Sequence, residues 1–251
     1  MKIITFTTDL GNKDYFAGVL KGLILQNTQS ATFVDITHQV EHFNLQQGAH
    51  VLRSSFRSFP EKTIHTVVVG MENVKKHRCI FFEHNGYYFV GPDNGIFPLA
   101  LKNLPRDIYT LEQSNGLSAD VAHVVSELSN GNDPRNIGIV TGNIHALHAV
   151  SPPVNDDMIK TSVVYIDVYG NVICGISKSE FEASKRQRKF AVEFGKRDII
   201  ETISQSYSDV PPGEKLCRFN ESGFLEIAIH KGNAHELLGL KVNDTVLIEF
   251  L

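Results

Sequence analysis

The sequence predicts an α/β fold, with an N-terminal, mainly parallel sheet and flanking helices followed by a smaller C-terminal β-barrel domain. Three observations predict it. β-Branched strands alternate with segments of helical periodicity through the first half. Periodicity then breaks at Ser151-Pro152-Pro153-Val154-Asn155-Asp156-Asp157, and beyond the break short strands recur between turn residues. The chain has 251 residues, 42% of them hydrophobic, enough for one large and one smaller core. The expected division is 1–155 for the α/β domain and 156–251 for the barrel.

Lys2 to Thr7 reads as a short apolar strand, and the polar turn Thr8-Asp9-Leu10-Gly11-Asn12 leads into a helix over Tyr15 to Leu25. Phe16, Val19, Leu20, Leu23 and Ile24 recur there at helical spacing. Ala31 to Ile36 is a second strand, Asn44 to Phe56 a second helix, and Thr63 to Val69 a third strand. Ile80 to Phe82 and Tyr87 to Val90 flank an Asn85-Gly86 pair, a strong hairpin signal. Ala119 to Leu128 is helical. Past the break, strands are expected at 162–166, 172–176, 189–193, 217–220, 225–229 and 245–250, with one short helix among them.

Composition excludes several classes of partner. Lys plus Arg number 24 against 28 Asp plus Glu, a formal charge of -4 that offers no basic field to nucleic acid or anionic lipid. Cys79, Cys174 and Cys217 stand at unrelated spacings, neither a disulfide framework nor a zinc pattern, which suits a reducing, cytoplasmic setting. No run approaches a membrane span or a signal-peptide apolar region, and no metal site is expected. Gly-x-Gly-x-x-Gly, Walker, His-Glu-x-x-His and Gly-x-Ser-x-Gly signatures are all missing.

The chemistry-bearing residues collect instead after strands. Asp9, with Asp14 five residues on, follows the first strand, at the mouth where open α/β sheets bind ligands. A carboxylate there can accept both hydroxyls of a ribose; equally, Asp9 reads as an Asx-turn and Asp14 as a first-turn helix residue. Asp35, Thr37 and His38 end the second strand, where a buried, satisfied His is the commoner account. Asp93 and Asn94 lie between glycines in Gly91-Pro92-Asp93-Asn94-Gly95, a ligand-approaching backbone or a tight turn. In the second half, Asp167-Val168-Tyr169-Gly170-Asn171 and the stretch from Asn220 through Glu221 and Ser222 to Ala228 set amides and carboxylates beside glycine.

Taken in order, these blocks resemble one family, the S-adenosylmethionine (SAM) hydroxide adenosyltransferases, relatives of fluorinating and chlorinating enzymes. Thr8-Asp9-Leu10-Gly11, Val34 to His38, Phe59-Pro60 before Thr63-Ile64-His65, Pro92 to Gly95, Tyr169-Gly170-Asn171, and Gly223 to Ala228 followed by Gly232-Asn233-Ala234 carry the resemblance across almost the whole chain. It implies a homotrimer with sites between subunits. It also implies a nucleoside-containing substrate, SAM itself, with no further cofactor. By position Asp9 would hold the ribose diol, Asp14 and Asp167 the methionine ammonium and Asn171 the adenine edge, while Tyr169 would supply an aromatic wall. The implied reaction is attack of water on C5′ to give adenosine and L-methionine.

The sequence departs from the family pattern where water would be activated. That group is an Asp, an Arg and a His; here Gly70 stands at the Asp position, Arg78 keeps the Arg, and Asn115 stands at the His position. Glu221, shifted against Ser222, replaces the Ser expected to meet the methionine carboxylate. Water is a poor nucleophile without a base, whose loss costs about 10² to 10⁴ in rate, so weak or absent turnover is expected unless His77 or His65 stands in. The alternatives are a non-catalytic SAM or adenosine binder and, ranked last, a halide-using enzyme, since the halogenating branch carries a longer loop where Lys102 to Gln113 is short.

Overall fold

The computed structural model describes residues 2–71, 78–101, 103–147, 154–155, 157–195 and 198–251. The segment Ser151 to Pro153, the candidate base His77 and Lys102 lie outside them. The chain forms two compact units, Met1–Ala149 and Val150–Leu251. Among the described residues no helix is long and apolar enough to cross a membrane.

The first unit runs β1 (Lys2–Thr8), α1 (Phe16–Leu25), β2 (Ala31–Thr37), α2 (Leu45–Ser55), β3 (Ile64–Val68), β4 (Cys79–His84), β5 (Tyr87–Pro92), α3 (Ile96–Ala100), β6 (Tyr109–Thr110), α4 (Leu117–Ser129), α5 (Pro134–Ile137) and β7 (Ile139–Val140). Its seven strands lie in the order β2-β1-β3-β5-β4-β6-β7. Neighbours from β2 to β5 are parallel, and β4, β6 and β7 extend the sheet antiparallel. The change of sense is made by the predicted hairpin: Asn85 (φ 51°) and Gly86 (φ 84°) both take positive φ, as a type I′ turn requires.

Alternation along β1 decides the layers. Ile4 and Phe6 pack with Leu20 and Ile24 of α1 and with Val121, Val124 and Val125 of α4 on one face. On the other face Leu52 of α2 and Phe97 of α3 close over Val67, Phe82 and Phe89. α2 starts because Asn44 caps it, its side chain accepting the N–H of Gln47. The short pieces α3, α5, β6 and β7 were not expected, since two to five residues carry no readable period.

On the α2 face His65 is boxed in by the rings of Phe56, Phe59, Tyr87 and Phe89, its Nδ1 2.8 Å from Thr5 Oγ1. That corrects the expectation that it could serve as a base: it is a core histidine, 1% exposed. Burial pulls its pKa down to about 4. Burial, helped by the Arg53 charge, does the same to His50. Between pH about 6.5 and 4 the unfolded chain therefore binds protons that the folded chain refuses, and stability falls as pH falls. The expected loss approaches about 3 kcal/mol per histidine at the bottom of that window. Urea unfolding at pH 7, 5.5 and 4 should show it, and the slope should shrink in His65→Gln; an unchanged slope in that variant would contradict the assignment.

The second unit comprises β8 (Val154–Asn155), β9 (Met158–Ile166), β10 (Val172–Ser177), α6 (Lys178–Lys185), β11 (Phe190–Phe194), β12 (Asp198–Ile200), β13 (Ile203–Ser204), β14 (Lys215–Phe219), β15 (Phe224–Ile229), α7 (Ala234–Leu238) and β16 (Thr245–Phe250). Its main path is β12-β11-β16-β9-β10-β15-β14-β13, with β8 paired to β9. The sheet curls into a half-barrel, so that Lys215 on β14 ion-pairs with Asp198 on β12 although five strands separate them in the order. Its interior holds Val163, Ile227, Val246 and Phe181, whose ring meets Phe190, Phe219 and Phe250. α6 begins at a reciprocal Ser177–Glu180 capping box. Cys174 and Cys217 lie in this core, and all three cysteines are free.

Candidate functional site

At the carboxyl ends of the parallel strands β1, β3 and β5, three loops are tied together through one peptide. β1 hands the chain to Asp9, which is 7% exposed. Its Oδ2 accepts the N–H groups of Phe43 and Gly70, both at 3.0 Å. Gly70, just past β3, has φ 66°, in the left-handed region that favours glycine. From the other side Asn94, past β5, donates through Nδ2 to the carbonyls of Val69 (2.8 Å) and Gly70 (3.3 Å). Asp9 and Asn94 thus hold both polar ends of residue 70. Among the described residues Asp9 Oδ1 has no hydrogen-bond partner.

Asp93, 8% exposed, sits beside this knot. Its Oδ2 accepts from Arg78 Nε at 2.9 Å and from Arg78 Nη2, and its Oδ1 accepts the His145 N–H at 2.7 Å. Arg78 also donates from Nη1 to Thr141 Oγ1 (2.9 Å) and from Nη2 to the Asn143 carbonyl. Of its five N–H groups one, on Nη1, is left among the described residues. The guanidinium therefore clasps residues 141–145 to the mouth. His38 is buried, as the commoner account has it, but only half satisfied: Nδ1 is 2.8 Å from Thr8 Oγ1, whereas Nε2 lies 3.1 Å from Asp35 Oδ1 without hydrogen-bond geometry, and burial lowers its pKa.

Asp14 is exposed ahead of α1, away from these bonds. Asn115 is exposed before α4, its N–H donated to Asp120 Oδ1 at 2.9 Å. Ser114 and Asp120 share a hollow of about 200 Å³ with Arg78, Cys79, Thr110 and Glu112.

In the second unit the remaining candidates gather on two turns. Between β9 and β10, Asp167 Oδ1 accepts the N–H groups of Tyr169 and Asn171, and its Oδ2 accepts Asn171 Nδ2, all at 2.9 Å. The tip itself stands out: Val168 is 90% and Tyr169 77% exposed. Gly170, at φ 79°, lies where a Cβ would come within 2.0 Å of Asn233 Oδ1, so no larger residue fits. Behind the tip Asn171 Nδ2 is 3.5 Å from the Tyr207 hydroxyl, which donates to Glu226 Oε1 at 2.7 Å. Burial raises the Glu226 pKa. On the other turn Glu221 pairs with Arg218 Nη2 at 2.8 Å, and the Ser222 N–H donates to Asn220 Oδ1 at 3.1 Å.

The structure brings Asp9, Gly70, Arg78, Asp93 and Asn94 together in the first unit and Asp167, Tyr169 and Asn171 together in the second. Sequence reasoning missed Thr141, Tyr207 and Asp120, because their partners lie far away in the chain or, for Asp120, inside what reads as ordinary helix. Among the described residues no group of three or more His, Cys, Asp and Glu side chains is placed to hold a metal ion.

Comparison with known proteins gives two matches, one in each unit. Residues 4–134 match the sequence model of the SAM hydroxide adenosyltransferase N-terminal domain, and residues 161–247 that of the C-terminal domain. The chain is 29% identical to the (R)-S-adenosyl-L-methionine hydrolase of Methanocaldococcus jannaschii, covering 99% of this chain and 96% of that protein. It is 26% identical to the hydrolase of that name from Thermus thermophilus, over 96% and 97% of the two chains. A fluorinase from Actinopolyspora mzabensis matches at 39% identity over only 25% of this chain and 21% of its own length. Among solved structures, an uncharacterized conserved protein from Thermotoga maritima superposes with a TM-score of 0.85 at 28% identity, over 98% of this chain and 99% of the other.

Proposed function

The chain belongs to the SAM hydroxide adenosyltransferase family, both of whose domains it matches, and from that premise we propose that it binds SAM and cleaves it with water to adenosine and L-methionine. The observation that carries this reading is the Asp9 carboxylate, fixed at the sheet mouth through Oδ2 with Oδ1 unspent among the described residues. That is what a ribose diol needs: a charged acceptor held still before the ligand arrives.

The chemistry asks little beyond position. The sulfonium already makes methionine a good leaving group, so alignment of water with the C5′–S bond and exclusion of bulk solvent supply much of the rate. The water must also lose a proton. Gly70 and Asn115 cannot take it, and the Arg78 guanidinium stays protonated. Hydrolysis at this site therefore depends on an acceptor elsewhere.

SAM is both ligand and substrate in this reading, with no other cofactor. The site is completed between subunits of a homotrimer in the cytoplasm. The bare apolar tip at Val168 and Tyr169 and the exposed Phe16 and Val19 of α1 support association, and the free, buried thiols suit a reducing compartment.

Incubating the purified protein with SAM should release adenosine and methionine in equal amounts, read by chromatography, while calorimetry shows adenosine binding. Adenosine binding without release would make the chain a nucleoside binder. A 5′-halogenated nucleoside formed in chloride would move it to the halogenating branch.

A further inference from the structure

We propose that the proton of the attacking water leaves through the Ser114 hydroxyl to the Asp120 carboxylate, a route that rests on the hydrolysis reading above and uses neither position at which the family keeps its acid–base groups. The hollow beside Arg78 has room, at about 200 Å³, for several waters. Asp120 lines it from the first turn of α4 and is 2% exposed. Its Oδ2 accepts the Ser114 hydroxyl at 2.5 Å, and its Oδ1 accepts the Asn115 N–H at 2.9 Å. Ser114 is the exposed member of the pair; its oxygen also accepts the Gly116 N–H at 3.2 Å, and a water in the hollow would approach that oxygen with the carboxylate behind it.

The other lining groups do not offer this. Cys79 is buried, and burial together with the nearby Asp120 charge pushes its thiol well up, keeping it protonated. The Thr110 hydroxyl is spent on the Cys79 carbonyl at 2.9 Å. Glu112 is exposed at the rim. Arg78 lines the hollow as well, and its last N–H, on Nη1, could orient a water without taking its proton.

The step balances. A lone pair of the water oxygen forms the C5′–O bond, and the C5′–S bond breaks with its pair going to sulfur, giving the neutral thioether of methionine. The water proton moves to Ser114 Oγ as the serine proton moves to Asp120 Oδ2, and the carboxyl later releases it to solvent. Ser114 touches the reacting water; Asp120 is the positioning and accepting group behind it.

The test measures kcat and KM for adenosine release from SAM in wild type, Asp120→Asn and Ser114→Ala, with adenosine affinity and thermal unfolding beside them. Asp120→Asn should lower kcat by about 10²-fold or more while KM and adenosine affinity stay within about twofold. Ser114→Ala, which leaves the Asp120 bond to the Asn115 N–H intact, should lower kcat at least about tenfold in the same pattern. Wild-type kcat in Asp120→Asn overturns the proposal, as does a loss confined to KM. If Asp120→Asn does not fold, Ser114→Ala decides alone, and wild-type turnover in it overturns the route. A Glu112→Gln variant that loses turnover while Asp120→Asn keeps it reassigns the acceptor and overturns it as well. No adenosine from the wild type removes the hydrolysis reading itself, an outcome distinct from all of these.

Discussion

Replacing Arg78 with Ala should lower the stability of the first unit by about 2–4 kcal/mol. The guanidinium is two-thirds buried and Asp93 almost wholly so, with side-chain exposures of 33% and 6%. Removing the cation leaves a carboxylate in the sheet mouth with, among the described residues, only the His145 N–H to satisfy it. It also releases Thr141 and the Asn143 carbonyl, so residues 141–145 lose their hold on the mouth. For a unit of this size the melting temperature should drop by roughly 5–15 °C. Arg78→Lys should recover little, because one ammonium cannot reach three acceptors laid out for a planar fork. Lys62→Ala provides the contrast: the Lys62–Glu83 pair is 51% and 42% exposed, and its loss should cost less than about 1 kcal/mol. Scanning calorimetry on the three variants reads the comparison, and an Arg78→Ala protein that melts with the wild type would show that the clasp holds nothing.

Much of this fold is written in local pattern. β1, β2 and β3 are β-branched and apolar, α1 and α4 repeat at helical spacing, and Asn85-Gly86 can hardly be anything but a hairpin turn. The half-barrel was legible as short strands between turns, although all six residues of β15 are buried, so its alternation vanishes from the sequence. What stayed hidden depends on distance along the chain. Arg78 finds Asp93 15 residues on and Thr141 63 residues on, and no window of pattern reading spans those separations. Asp9 could be picked out because it follows a strand. That its Oδ2 gathers N–H groups from residues 34 and 61 positions away could not. Asp120 shows the same limit: in sequence it is one acid in a helix, and only the packing of Ser114 against it turns it into a candidate proton acceptor.

Asp9 fastens the mouth in the structure and is proposed to hold the ribose diol as well, and the decisive experiment must separate the two. Asp9→Ala should weaken adenosine binding by about 1.5–3 kcal/mol, roughly 10- to 150-fold, if charged hydrogen bonds to the diol are lost. The same change strips the acceptor from the Phe43 and Gly70 N–H groups, so a loosened mouth alone would also weaken binding. Asp9→Asn keeps an oxygen for those two donors and removes the charge. Measuring adenosine and 2′-deoxyadenosine against wild type and Asp9→Asn makes a double-mutant cycle, with the missing hydroxyl as one of its two changes. The wild type should pay about 1.5–3 kcal/mol for the missing hydroxyl, because the carboxylate then faces a carbon where it had a donor. In Asp9→Asn that penalty should shrink to below about 0.5 kcal/mol, a coupling that loop loosening cannot imitate since it weakens both ligands alike. Equal penalties in the two proteins would mean that Asp9 only fastens residues 43 and 70, and the diol would have to be sought at another acceptor on the mouth.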